Sequence, residues 1–234
     1  MSGYLGDVAA LLRKDLLLEL RSRDTVPAML LFVVSALVVF HFAVPEDFAS
    51  EIEKALRQTV PGELKDETER VVTLGLLWVA LLFTAILGLT RSFVAEREQR
   101  LFDGLVLAPC DRSAIWLAKA LAFTAFLLIA ELIALPAFAL FYGGVDGMTI
   151  LALLLANIGI ASVGTLLSAV AAASRTRELL LPLLFLPLAI PIVVGGVGAS
   201  LAIGGSGKYL GFLVLYDAVF AIISWAAFEY VVTE

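Results

Sequence analysis

Three carboxylic acids fall inside stretches that are otherwise apolar: Glu131, Asp217 and Glu229. Insertion scales charge about 2.5–3.5 kcal/mol for an Asp near the centre of a membrane helix, so such residues face a cavity or a partner. Glu229 lies close to the end of its run and is expected at the interface. Glu131 and Asp217 lie deeper. Each is expected either to line a substrate route or to sit protonated or hydrogen-bonded in a helix contact. His41, the one histidine, falls near the end of another apolar run. An imidazole there suits an axial ligand or contact for a metal porphyrin. The simpler and favoured reading is an interfacial polar residue capping a span.

A second candidate lies between two apolar runs, at Arg91–Arg112, RSFVAEREQRLFDGLVLAPCDR. Leu101, Leu105 and Ala108 fall at i, i+4 and i+7, with Phe102 and Val106 beside them. Arg97, Arg100 and Asp103 lie off that stripe. Pro109 ends the helix. Such a piece can press its apolar side into a groove on another protein.

Enzyme chemistry has little to stand on. One histidine precludes a His-based metal cluster or an HExxH helix. Cys110 is the single cysteine, so neither a CxxC motif nor an intrachain disulfide is possible. The run GGSGKY at Gly204–Tyr209 fails as a phosphate loop: Ala202 stands where the first glycine belongs, and Tyr209 where Ser or Thr should hold magnesium. A non-catalytic chain is expected, with any ATP hydrolysis in a separate subunit.

The elements that must carry these residues follow from composition. The 234 residues are 61% hydrophobic and 16% charged, against about 45–50% and about 25% in soluble domains. Mean hydropathy is +1.00. The chain is expected to be a single all-α membrane domain over 1–234. A span needs about 20 mostly apolar residues. Six runs qualify, at 26–44, 71–90, 115–142, 149–173, 179–203 and 209–232. The fifth contains Pro182, Pro187, Pro191, Gly195, Gly196 and Gly198 and is expected to be kinked or broken. Residues 1–25 precede the first run. There Leu5, Val8, Leu12, Leu16 and Leu20 line one helical face opposite Asp7, Lys14 and Arg21, predicting an amphipathic helix on the membrane interface. No cleavable signal peptide pattern is present.

Lys and Arg set the orientation. With the N-terminus inside, Arg13, Lys14, Arg91, Arg97, Arg100 and Lys119 are among those that collect on the inner side. Only Lys54, Arg57, Lys65, Arg70 and Lys208, of 16 in all, fall outside. Both termini and Arg91–Arg112 are then cytoplasmic. The acidic stretch 46–70 becomes an outer loop, with a short helix carrying Phe48, Ile52, Ala55 and Leu56 and ending at Pro61-Gly62. The net charge of -6 gives no reason to expect nucleic acid. Membrane lipid is the expected surroundings. In the fourth run, rows of small residues (Ala161, Thr165, Ala169, Ala173; Gly164, Ser168, Ala172) predict a close packing face, within the bundle or against a second copy of the chain.

These features together resemble a family. An amphipathic N-terminal helix, six spans and a cytoplasmic helix between spans two and three ending in Pro are similar to the permeases of ABC-2-type exporters. More narrowly, the chain resembles the CcmB (heme exporter protein B) family of cytochrome c biogenesis permeases. The resemblance rests on LLRKDLLLELRSRD at Leu11–Asp24, LLWVALLFTAILGLTRSF at Leu76–Phe93, LFDGLVLAPCDRSAIWLAKAL at Leu101–Leu121 and LLLPLLFLPLAIPIVV at Leu179–Val194. It covers nearly the whole chain. The 46–70 loop, long and highly charged, departs from the pattern.

The resemblance implies a permease subunit in cytochrome c-type biogenesis, in the bacterial cytoplasmic (inner) membrane. Its partners would be a CcmA-like cytosolic ATPase, a CcmC-like haem-handling membrane protein and a CcmE-like haem chaperone. ATP would be bound by the ATPase, and haem would be handled through the complex, with no cofactor assigned to this chain. The work done would be haem export or release of the haem-loaded chaperone. Glu96, Arg97, Arg100, Leu101, Phe102, Asp103, Leu105 and Pro109 would couple to the ATPase, with Glu96, Asp103 and Pro109 matching the exporter loop. His41, Glu131 and Asp217 are the candidate translocation or haem-contact residues, although one histidine is a thin supply of ligands for haem. The rival readings are an ABC-2-type permease for a drug, lipid or polysaccharide, and a membrane scaffold without a transport cycle.

Overall fold

In lipid every backbone N–H and C=O must find its partner within the protein, and a helix achieves this segment by segment. The long apolar runs of this chain therefore fold as helices. The computed structural model describes residues 3–44, 65–92, 111–172, 177–201 and 205–233. Among these residues there are seven helices and no strand. They are α1 (Tyr4–Ser22), α2 (Thr25–Ala43), α3 (Lys65–Ser92), α4 (Arg112–Tyr142), α5 (Gly147–Ala172), α6 (Arg177–Ser200) and α7 (Ser206–Thr233). All but α1 hold a stretch long and apolar enough to cross a membrane. The chain is a multi-pass, all-helical membrane protein with six candidate spans. The expected outer-loop helix at Phe48, Ile52, Ala55 and Leu56, and the expected helix carrying Glu96 to Pro109, lie outside the described residues.

The six spans alternate in direction. α1 lies at the end of the bundle where α3 finishes and α4 starts, here called the α1 face; the opposite end is the far face. α5 is central and touches α3, α4, α6 and α7. Its small residues explain the position. Ala161, Thr165 and Ala169 are buried. A side chain at Gly164 would overlap Leu89 of α3, and Ser168 donates to the Leu89 carbonyl at 3.3 Å. Both small rows, as far as their side chains are described, thus pack inside the chain. By contrast α2 rides on α3 and α4, and much of its surface, including Leu31, Val39 and Phe42, is exposed.

The structure bears on two further expectations. α6 is continuous from Arg177 to Ser200, with Pro182, Pro187 and Pro191 inside it. Each Pro lacks the N–H that would reach the carbonyl four residues back, but neighbouring groups can re-satisfy such backbone in a membrane bundle. Elsewhere on α6, the Leu188 carbonyl accepts from the Tyr216 hydroxyl of α7 at 2.6 Å, fastening the two helices. Gly196 in the same helix lets Trp78 of α3 lie against its backbone, where any Cβ would collide with the indole.

The apolar stripe of α1 is also divided. Val8 is buried against Ala114 and Ala118 of α4, with Leu12 of the stripe and the off-stripe Leu11 packed beside them, and Leu16 packs against the main core. Leu5 and Leu20, on the expected stripe, are 76% and 71% exposed. One side of α1 docks on α4 and another apolar side is left open.

Candidate functional site

The two deep carboxyl groups define a polar layer across the bundle. Glu131 is eleven residues from the far end of α4, Asn157 ten from that of α5, and Asp217 eleven from that of α7. At 1.5 Å per residue all three lie about 15–17 Å from the far face. Glu131 is 6% exposed and its Oε2 accepts from the Asn157 amide at 2.8 Å. Both residues line a small cavity with Trp78, Thr84, Leu127 and Val193. The cavity measures about 10 Å³, room for about one water molecule. Nearby, the Trp78 indole N–H donates to Ser200 of α6 at 3.4 Å, and Ser200 donates to the Gly196 carbonyl at 2.8 Å.

Asp217 occupies the other side of α5. It is 5% exposed, and neither carboxyl oxygen has a hydrogen-bond partner among the described residues. It lies against Gly159, where a Cβ would collide with Oδ1 and crowd Ile192 of α6. Gly159 and Asn157 are two residues apart on α5, about 200° around the helix. The helix therefore stands between the two acids, and they do not form one site.

His41 is placed elsewhere again, exposed at the far end of α2. Its ring lies 4.9 Å from Phe141, 5.6 Å from Tyr142 and 5.1 Å from Phe42, measured between centroids. The Tyr142 hydroxyl donates to the Leu37 carbonyl at 3.3 Å. This is the aromatic packing typical of a membrane boundary. Among the described residues no group of three or more His, Cys, Asp or Glu could hold a metal ion. Glu229 is exposed near the end of α7.

The residues proposed for partner coupling (Glu96, Arg97, Arg100, Leu101, Phe102, Asp103, Leu105 and Pro109) are outside the described residues, but both flanks are placed. α4 begins at Asp111, whose side chain caps the helix by accepting from the Ser113 N–H at 3.0 Å and the Ser113 hydroxyl at 2.8 Å. The backbone bond first, and the hydroxyl second, hold the Asp111 carboxyl below its usual range. At the other flank, Arg91 donates to the Asp24 carbonyl at 3.1 Å, tying the end of α3 to the turn between α1 and α2.

Three contacts of α1 were not foreseen from sequence. Lys119 of α4 pairs with Asp15 at 3.3 Å, the side chains only 6% and 10% exposed. Lys14 adds a second pair to Asp15 at 3.0 Å. Glu19 accepts from the N–H groups of Thr25 and Val26 at 2.9 and 2.6 Å, capping α2 from α1. The sequence did carry one signal: Lys119 interrupts an apolar helix, where a lone cation calls for an anion.

Comparison with known proteins agrees with this architecture. The family described as CcmB protein matches residues 7–229. A heme exporter protein B of Pseudomonas aeruginosa is 34% identical over 144 residues, 59% of this chain and 65% of that protein. A heme exporter protein B of Bradyrhizobium diazoefficiens is 27% identical over 199 residues, 84% of this chain and 82% of that protein. The chain thus spans just under two thirds of the first relative and more of the second. With the family pattern running through almost every helix described above, the chain belongs to the CcmB family.

Proposed function

We propose that this chain is the membrane permease subunit of an ABC transporter acting in cytochrome c-type biogenesis. It would be driven by a CcmA-like ATPase on its cytoplasmic side. The transporter would move haem, or release a haem-loaded CcmE-like chaperone, with a CcmC-like membrane protein as companion. The observation that carries this reading is the family match over residues 7–229. The names of the two relatives, both heme exporter protein B, supply the link to haem. The chain itself is a non-catalytic subunit in this reading. Its α1 face is cytoplasmic, in the inner membrane, as the excess of Lys and Arg there favours. The open apolar side of α1, with Leu5, Leu17 and Leu20 exposed, would rest on lipid at that interface.

Coupling is assigned to Glu96–Pro109. Leu101, Phe102 and Leu105 would anchor in a groove of the ATPase, and Glu96, Arg97, Arg100 and Asp103 would orient the docking. Leu105→Asp tests this directly. The variant should insert in the membrane normally yet lose most of the co-purifying ATPase. Normal co-purification and normal ATP turnover would rule the docking out.

A further inference from the structure

We infer that α1 is a positioning strut, carrying displacement of the two flanks of residues 93–110 into α2. The inference rests on the proposal that an ATPase acts on the α1 face, and it adds the route by which that action reaches the first span.

The route is built from contacts at both ends of α1 and along its middle. Near its start, the Tyr4 hydroxyl lies 3.3 Å from the Ser113 hydroxyl of α4 and donates to it, the Ser113 proton being directed at Asp111, and Val8 is buried against Ala114 and Ala118. Farther along, Asp15 pairs with Lys119. The first residues of α4 are therefore fastened to α1 over two helical turns. At its end, Arg23 adopts the left-handed conformation with φ 57°, reversing the chain into α2. Asp24 stands where a cap is expected, but its side chain caps nothing. Glu19 does so instead, accepting from the first two N–H groups of α2. A carboxylate there also meets the positive end of the α2 dipole. Arg91, one residue from the end of α3, closes the corner on the Asp24 carbonyl. Both helices that flank residues 93–110 thus end on α1 or its turn, and the short Arg23–Asp24 link between α1 and α2 is braced by the Glu19 carboxylate.

The chemistry favours a fixed geometry over mere adhesion. The Asp15 and Lys119 side chains are buried together, and pulling a buried ion pair apart is costly, so the contact holds the two helices in register. Rotation of the start of α4 must then carry α1 with it. Since Glu19 is bonded to the backbone of α2 and not to a side chain, that motion is delivered to the helix itself.

The test uses the complex purified from native membranes through a tag on this chain, with ATP as the probe. For Glu19→Ala, the retained ATPase and its KM for ATP should match wild type, while kcat falls at least threefold. Glu19→Gln keeps an acceptor oxygen and should recover part of the loss. Unchanged kcat in Glu19→Ala would overturn the strut, and so would loss of the ATPase from that complex, since α1 would then belong to the docking surface. A second measurement does not depend on that variant. In a Cys110→Ser background, a disulfide between cysteines placed at Val8 and Ala118 should leave turnover within twofold, because the two helices move together. Arrest of turnover on oxidation would contradict the inference. A wild-type complex that carries no ATPase at all would instead sink the proposed function, and is read separately.

Discussion

Glu131 and Asp217 are carboxyl groups at one depth, on opposite sides of one helix, with nearly equal burial. Their surroundings differ. Glu131 meets an amide at 2.8 Å beside a small cavity; Asp217 is pressed on a glycine, with both oxygens unpartnered among the described residues. An acid held by a hydrogen bond contributes to the helix contact it sits in. An acid without one costs stability, because desolvating a polar group is unfavourable unless a partner replaces water. The first arrangement is accounted for by packing alone. The second is a local conflict of the kind that natural proteins retain at functional positions.

The largest effect should come from closing the space that Asp217 uses. Gly159→Val would force a branched side chain into Oδ1 and Ile192, and overpacking of this kind costs about 1–3 kcal/mol. Thermal unfolding in detergent should show a clear fall in Tm, and Asp217→Ala in the same chain should recover part of it. Independent, additive effects would separate the two residues.

Glu131→Leu should be milder. It leaves the Asn157 amide without its acceptor; double-mutant cycles in membrane proteins put such bonds at about 0.6 kcal/mol, up to about 1.7. A cycle with Asn157→Ala should return a coupling in that range, and zero coupling would erase the contrast with Asp217. For Asp217→Asn the expected change in stability is smaller still, neutral or upward, because no bond within the described chain is lost. Should transport fail while Tm holds, Asp217 belongs to the working site; unaltered transport would leave it a packing residue.

The smallest effect extends the comparison to water. Asp111 is a third carboxylate, exposed and satisfied by two donors of Ser113. Its folded pKa is lowered. The cap should therefore be fully effective above the unfolded value of about 3.9 and lost as pH falls through the lower folded value. Hydrogen exchange at the first turn of α4 should quicken only in that acid range. In Asp111→Asn, which keeps the acceptor without the titration, that acid step should vanish.

Hydropathy made the six spans and the two deep acids legible, because a charge in an apolar run stands out whatever surrounds it. Their partners did not stand out. Asn157 and Gly159 are uncharged residues in a long helix, and only the fold shows that one faces Glu131 and the other Asp217. The α1 stripe was legible as a shared face, but periodicity does not say how much of that face is covered. Val8, Leu11 and Leu12 found α4 and Leu16 the main core, while Leu5 and Leu20 near the two ends stayed open. Glu19 was not legible for a related reason: it lies six residues before Thr25, and nothing local says that its carboxylate reaches forward across the turn to the start of α2. The prolines and glycines of α6 suggested a kink or a break. The helix runs without a break from Arg177 to Ser200, as a membrane bundle tolerates the loss of a few N–H groups.

The central claim is that this bundle is moved by a separate ATP-hydrolysing subunit held on its α1 face. The direct measurement is isolation of the tagged chain from its own membranes, with identification of bound subunits and assay of ATP turnover. The account predicts a cytosolic ATPase at near-stoichiometric yield and ATP hydrolysis in the isolated complex. A preparation that contains this chain alone and still performs its transport would contradict it.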